Sequence, residues 1–184
     1  MMTKTKRVLP TTFEGETFND GDRISFDHKG FTVVAKLVAD YDADVSHIGA
    51  FSNEPNEGAI DHHATGKWLD RSHRGDRYFN PANYDYKHYI EAKKSKSVAR
   101  RLANQHARLD YDRLVGYYTG EWSMLGVVLT ISRDGVSLGE ASLWSIESDS
   151  GSYFNEVVRD LLHDAQAEAQ QKLKLLADFA KAVE

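Results

Sequence analysis

Apolar and polar positions are patterned most clearly between Gly120 and Ser150. Residues 122–131 are rich in Trp, Val, Leu and Ile, Asp134-Gly135 supplies a turn, and residues 136–146 return, which predicts a β-hairpin. A second hairpin is predicted where residues 23–26 and 31–38 flank Asp27-His28-Lys29-Gly30, with Gly30 free to take positive φ. The second of these runs alternates. Phe31, Val33, Ala35 and Leu37 share one face, and Thr32, Val34, Lys36 and Val38 the other, so the latter is at most partly covered.

Residues 84–118 change to a helical pattern with no Pro and many good helix formers, broken near Ser95-Lys96-Ser97. At 100° per residue, Val98, Ala99, Leu102, Ala103, His106, Leu109, Leu114, Tyr117 and Tyr118 fall on one apolar arc. Asp110 and Arg113 lie on the same arc. Such a pair is costly to bury unless its members satisfy each other, so it reads as a structural clamp. The alternative is a functional pocket with Glu147, Asp149, Tyr111, Tyr117 and Tyr118. A last helix, capped by Ser150 or Ser152, continues to about Ala182, with a stripe from Phe154 and Val157 through Leu161 and Ala165 to Leu173, Leu176 and Ala180. Roughly 30 residues at about 1.5 Å each outrun a small sheet, so its end is expected to protrude or to pair with a second copy as a homodimer.

Residues 39–83 show no sustained period. They read as a long irregular excursion with one short element near Trp68, either a functional loop or structure whose pattern escapes reading. The expected fold is therefore α+β: an antiparallel sheet of about four strands in two hairpins, packed by two long helices. An N-terminal arm covers residues 1–21 and a single domain residues 22–184. The ββα echo between the halves carries no sequence identity that would support a duplication.

Composition narrows the function classes. The 184 residues carry 23 Lys and Arg against 28 Asp and Glu, a net charge of −5, which gives no global nucleic-acid footprint. The absence of cysteine excludes disulfides, thiolate nucleophiles and cysteine-based zinc sites. A reducing cytoplasm is the expected setting. Basic residues near the N-terminus have no apolar run behind them, and no apolar stretch is long enough to span a bilayer.

Three groups of residues are candidates for chemistry. Asp40, Asp42 and Asp44 follow an apolar strand, and alternate carboxylates can converge on a hard cation, although Val45 and Phe51 stand where an EF-hand loop needs Gly and Glu. A strand ending in Asp-x-Asp also invites comparison with haloacid-dehalogenase phosphatases, whose parallel sheet and further motifs have no counterpart here. His47, Asp61, His62, His63 and His73 could supply imidazole and carboxylate ligands to a divalent metal, at spacings that match no zinc signature. A solvated acidic loop with scattered histidines is the plainer reading of both. The third group is basic: residues 87–108 hold seven Lys and Arg against one Glu. Lys94, Arg101 and Arg108, seven apart, line one side of the helix, where they could follow a phosphate backbone or an acidic protein surface, or simply be a solvated face. Trp68 and Arg71 in the excursion are further candidates for partner contact. No Ser-His-Asp order, P-loop or G-x-G-x-x-G occurs, so nucleophilic and nucleotide chemistry have no support.

The motifs Arg77-Tyr78-Phe79-Asn80-Pro81-x-x-Tyr84, Asp110-Tyr111-x-Arg113-Leu114, Gly120-x-Trp122-x-x-Leu125-Gly126-Val127-Val128 and Leu143-Trp144-x-Ile146-Glu147-Ser148-Asp149-Ser150-x-x-Tyr153 give the chain a resemblance. It resembles an uncharacterised family of small proteins encoded by bacteriophages, plasmids and other mobile genetic elements, over roughly residues 31–165. Relatives tend to have Gly where Ser145 stands. No catalytic residues carry over from that family. What the resemblance implies is context: such accessory proteins often bind host machinery, including as inhibitors of CRISPR or restriction systems. The leading expectation is a non-enzymatic binding protein that uses residues 39–83 and the basic helix face on a host protein or ribonucleoprotein. The alternatives are a metal-dependent hydrolase or nuclease using Asp40, Asp42 and Asp44 with His62, His63 or His73, and direct nucleic-acid binding through residues 87–108.

Overall fold

Two tight turns, each of two consecutive residues with positive φ, set the register of the main sheet. Lys29 and Gly30 have φ of 50° and 81°, and Asp134 and Gly135 have 51° and 81°. That twist matches the twist of paired strands, so each turn closes a two-residue hairpin. The first joins β1 (Arg23–His28) to β2 (Phe31–Ala39). The second joins β6 (Met124–Arg133) to β7 (Val136–Glu147). Both hairpins belong to one antiparallel sheet of order β1-β2-β6-β7.

The computed structural model describes residues 10–183 except 68, 70–72, 74, 85, 93 and 94. Contacts divide the chain into two compact units: Met1–Ala43 with Ser123–Glu184, and Asp44–Trp122. The fold class is the α+β arrangement expected, each main helix serving its own sheet.

In the first unit, α3 (Tyr153–Val183) crosses β6 and β7 on one face. Alternation drives this packing: Val33, Ala35 and Leu37 from β2 and Leu125, Val127, Leu129 and Ile131 from β6 meet Phe154, Val157 and Leu161 of the helix in one core. The crossing is closest at Gly139, where a Cβ would sit 2.2 Å from the Ala165 carbonyl oxygen, and Ala165 and Ala169 are fully buried beside it. Small residues on both sides allow that approach.

The part of the expected arm that is described, residues 10–21, is mostly exposed but anchored by two side chains. Phe13 and Phe18 are buried, in edge-on contact with Phe154 at ring separations of 6.1 and 5.1 Å. Asn155 fixes the segment from both ends of its amide, accepting from the Phe13 N–H at 2.9 Å and donating to the Phe13 carbonyl at 2.8 Å. The far end of α3 leaves the sheet, as its length predicts: Leu175, Leu176 and Phe179 are exposed.

The second unit replaces the irregular excursion with structure. β3 (Gly49–Ser52), β4 (Ile60–Asp61) and β5 (Tyr78–Pro81) form an antiparallel sheet of order β3-β5-β4, and a 3-10 turn covers His63–Thr65. Strands of two to four residues are too short to show a period, which is why residues 39–83 read as irregular. α1 (Tyr86–Glu91) and α2 (Lys96–Thr119) follow. The expected break falls where Ser95 caps α2, its hydroxyl accepting from the Val98 N–H.

α2 turns a stripe inward that is narrower and smaller than the predicted arc. Ala99, Ala103, Ala107 and Tyr111, each four apart, are buried with Leu114 and Val115, whereas Leu109 is 66% exposed. The small alanines let the helix lie close to the short sheet. Tyr111 and Phe79 are thereby brought to 5.6 Å between ring centres, with Phe51 completing the cluster. The Asp110–Arg113 clamp is not formed. Arg113 instead lays its guanidinium 3.7 Å over the Trp122 ring, whose indole N–H donates to the Arg113 carbonyl at 2.8 Å.

Candidate functional site

Within the second unit, an open groove of about 730 Å³ runs between α2 and the stretch from Gly58 to Lys67. Its helix wall is laid down by i,i+4 spacing. Asn104, Arg108 and Asp112 follow one another a turn apart, with Ala107 and Tyr111 beneath them. The opposite wall is β4, the 3-10 turn and Lys67.

The floor is a closed ring of hydrogen bonds. The Thr65 hydroxyl donates to the His62 carbonyl at 2.7 Å, and the Tyr111 hydroxyl meets both Thr65 Oγ1 at 2.7 Å and His62 Nδ1 at 2.9 Å. With the Thr65 proton committed, Tyr111 donates to Thr65 and His62 Nδ1–H donates to Tyr111. Burial, and then the neighbouring His63, hold the His62 pKa below its ordinary value, so the ring is kept neutral.

Charge in the groove is largely settled in advance. Lys67 Nζ lies 2.6 Å from an Asp112 carboxylate oxygen and 5.3 Å from the centre of the Tyr111 ring, and the hydrogen bond to Asp112 raises the Lys67 pKa. Asp61 accepts from Arg77 at 2.9 and 3.2 Å, and this bonding depresses its carboxyl pKa. Arg108 has no ion pair among the described residues. Asn104 accepts from the Tyr84 hydroxyl at 2.7 Å, which leaves its amide N–H groups free to donate elsewhere.

The expected metal ligands are not brought together. Among the described residues no three His, Asp or Glu side chains converge as a metal-holding group. Asp40 and Asp42 belong to the first unit, and Asp44 and the histidines to the second. Asp40 Oδ2 accepts from the backbone N–H and hydroxyl of Ser145 at 3.0 and 3.1 Å, pinning a bulge in β7 where Ser145 has a φ of 61°. Asp42 is exposed. Asp44 turns back on the Ser46 N–H at 2.8 Å, which lowers its pKa. His62 belongs to the floor ring, His63 is exposed, and His73 meets Asp76 at 3.1 Å and lies 4.4 Å from the Tyr118 ring.

Of the expected partner-binding residues, Trp68, Arg71 and Lys94 lie outside the described residues. Arg101 and Arg108 are exposed on α2, without ion pairs among the described residues. Glu147 and Asp149 belong to the first unit, and Tyr111, Tyr117 and Tyr118 to the second. Sequence reasoning missed the roles of Thr65, Lys67, Asn104 and Asp112. The only signal was the Ala99, Ala103, Ala107, Tyr111 spacing, which marks the inward face and so places Asn104, Arg108 and Asp112 beside it. No helix among the described residues is long and apolar enough to cross a membrane. No family model matches the chain, and no curated protein or solved structure matches it either.

Proposed function

We propose that the chain is a non-enzymatic binding protein of a mobile genetic element, acting on a host protein or ribonucleoprotein of the defence class through the outer face of α2. The observation that carries this reading is the pair Arg101 and Arg108, seven residues apart, exposed and without ion pairs among the described residues. Two such guanidiniums two turns apart are available to an anionic partner without first breaking an internal salt bridge. The charge distribution supports the same face. The second unit holds twelve Lys and Arg against eleven Asp and Glu, a net +1 in a chain of net −5, so the first unit carries −6. The mobile-element context comes from the family resemblance, and its bearing on a defence target is analogy.

The experiment is co-expression of the tagged chain with a CRISPR or restriction complex, measuring both retention of the complex and protection of an invading plasmid. The double variant Arg101→Glu, Arg108→Glu is expected to weaken retention at least about tenfold and to abolish protection. Protection unchanged by the double reversal sinks the assignment of this face. Absence of both retention and protection across such complexes sinks the functional class.

A further inference from the structure

We infer that the groove beside α2 is a binding site for a small organic anion, its phosphate or carboxylate seated on Arg108 and its apolar body on the wall opposite. This goes beyond the reading given above and does not rest on it; the two share Arg108, while Asn104, Lys67 and the apolar wall belong to the groove alone.

Charge balance selects the ligand. The four charged side chains that line the groove, Asp61, Lys67, Arg108 and Asp112, sum to zero, but Asp112 is satisfied by Lys67, and Asp61 by Arg77, which is not part of the lining. One positive charge, Arg108, is left over, so the ligand that neutralises the site carries one compensating anionic group. A guanidinium presents a planar fork of donors that fits two oxygens of a carboxylate or phosphate at once. Two further sets of donors are near it: the free amide N–H groups of Asn104, one turn earlier on the helix, and the remaining ammonium protons of Lys67, which reaches from the opposite wall to Asp112 at the next turn.

Shape selects the rest of the molecule. The wall facing this donor row carries Ala59 and Ile60, and the Tyr111 ring lies at the floor with its hydroxyl already engaged by Thr65 and His62. Such surfaces accept an apolar or ring-bearing body and ask for no hydrogen bond from it. A volume of about 730 Å³ is that of sites holding whole organic ligands, larger than a bare inorganic ion requires.

The test is calorimetric titration of the purified chain with three probes: adenosine monophosphate, benzoate and inorganic phosphate. A ring-bearing probe is expected to bind with a Kd below about 1 mM, and more tightly than inorganic phosphate. Adenosine monophosphate as the tighter of the two assigns phosphate, and benzoate assigns carboxylate. Arg108→Gln is expected to raise that Kd at least about tenfold, and Ala64→Trp, which fills the groove without altering a charge, to abolish binding. Lys96→Gln, at the start of α2, is expected to leave it unchanged. The inference is overturned if no ring-bearing probe binds with a Kd below about 1 mM, if inorganic phosphate binds as tightly as the ring-bearing probes, or if Arg108→Gln has no effect. Because no macromolecule is present, failure here leaves the proposed partner face standing, and failure of co-expression leaves the groove standing.

Discussion

Asp40→Ala tests whether this carboxylate fixes backbone. Ser145 occupies the left-handed region, which costs an L-residue about 1 kcal/mol relative to glycine. Asp40 offsets that strain by accepting from both the Ser145 N–H and its hydroxyl, and a hydrogen bond to a partly exposed carboxylate contributes roughly 0.5–1.5 kcal/mol. Removing the side chain therefore destabilises the first unit by about 1–2 kcal/mol. In a chain of this length that lowers Tm by about 3–6 °C. Asp40→Asn keeps an acceptor oxygen and is expected to lose about half as much. Ser145→Gly relieves the strain while losing only the hydroxyl bond, so it is close to neutral alone and recovers about 1 kcal/mol in the Asp40→Ala background. The assay is urea unfolding followed by circular dichroism, with and without EDTA. An unchanged midpoint for Asp40→Ala, or no recovery from Ser145→Gly, refutes the reasoning. A loss on adding EDTA as large as that of Asp40→Ala shows the carboxylate to be a metal ligand instead.

Gly139→Ala places a Cβ against the Ala165 carbonyl oxygen and must push α3 off the sheet, a loss of roughly 2 kcal/mol that thermal unfolding will detect. Tyr111→Phe removes the hydroxyl that joins His62 to Thr65 and leaves a buried ring nitrogen without its partner, so a loss of about 1–3 kcal/mol is expected by the same measurement. His62 is held neutral with a lowered folded pKa, so its stabilisation is complete above its unfolded value near 6.5 and is lost as pH falls toward the folded value. Urea midpoints below about pH 6.5 should fall more steeply for the native chain than for His62→Gln. Burial raises the Asp110 pKa, so its contribution is lost as pH rises through the folded value, and Asp110→Asn is expected to raise Tm at pH 7 and to leave it unchanged near pH 3.

What was legible in the chain was what has a period. The two hairpins declare themselves through alternation and their Lys29-Gly30 and Asp134-Gly135 turns, and α3 through the stripe from Phe154 to Ala169. The second unit was not legible because β3, β4 and β5 are no longer than two full alternations. α2 misled by residue size: Leu109 looks like core and is exposed, while Ala99, Ala103 and Ala107 are the packed positions. The acidic run after β2 looked like chemistry because sequence proximity hides direction. Asp40 is turned toward Ser145, more than a hundred residues away, and Asp44 toward its own loop. The groove joins residues some 40 positions apart, a pairing that no local pattern encodes.

The strands that leave and re-enter the first unit are hydrogen-bonded neighbours: Ala39 stands opposite Leu125, and the Asp40 N–H donates to the Met124 carbonyl at 2.9 Å. Everything from Asp44 to Trp122 is thus a guest whose two ends are held together by the host, at a point where a short loop could close the chain without it. The grafting site is therefore already built. A chain rejoined between residues 43 and 123 should keep its four strands and α3, and the same junction should carry unrelated cargo whose termini lie side by side.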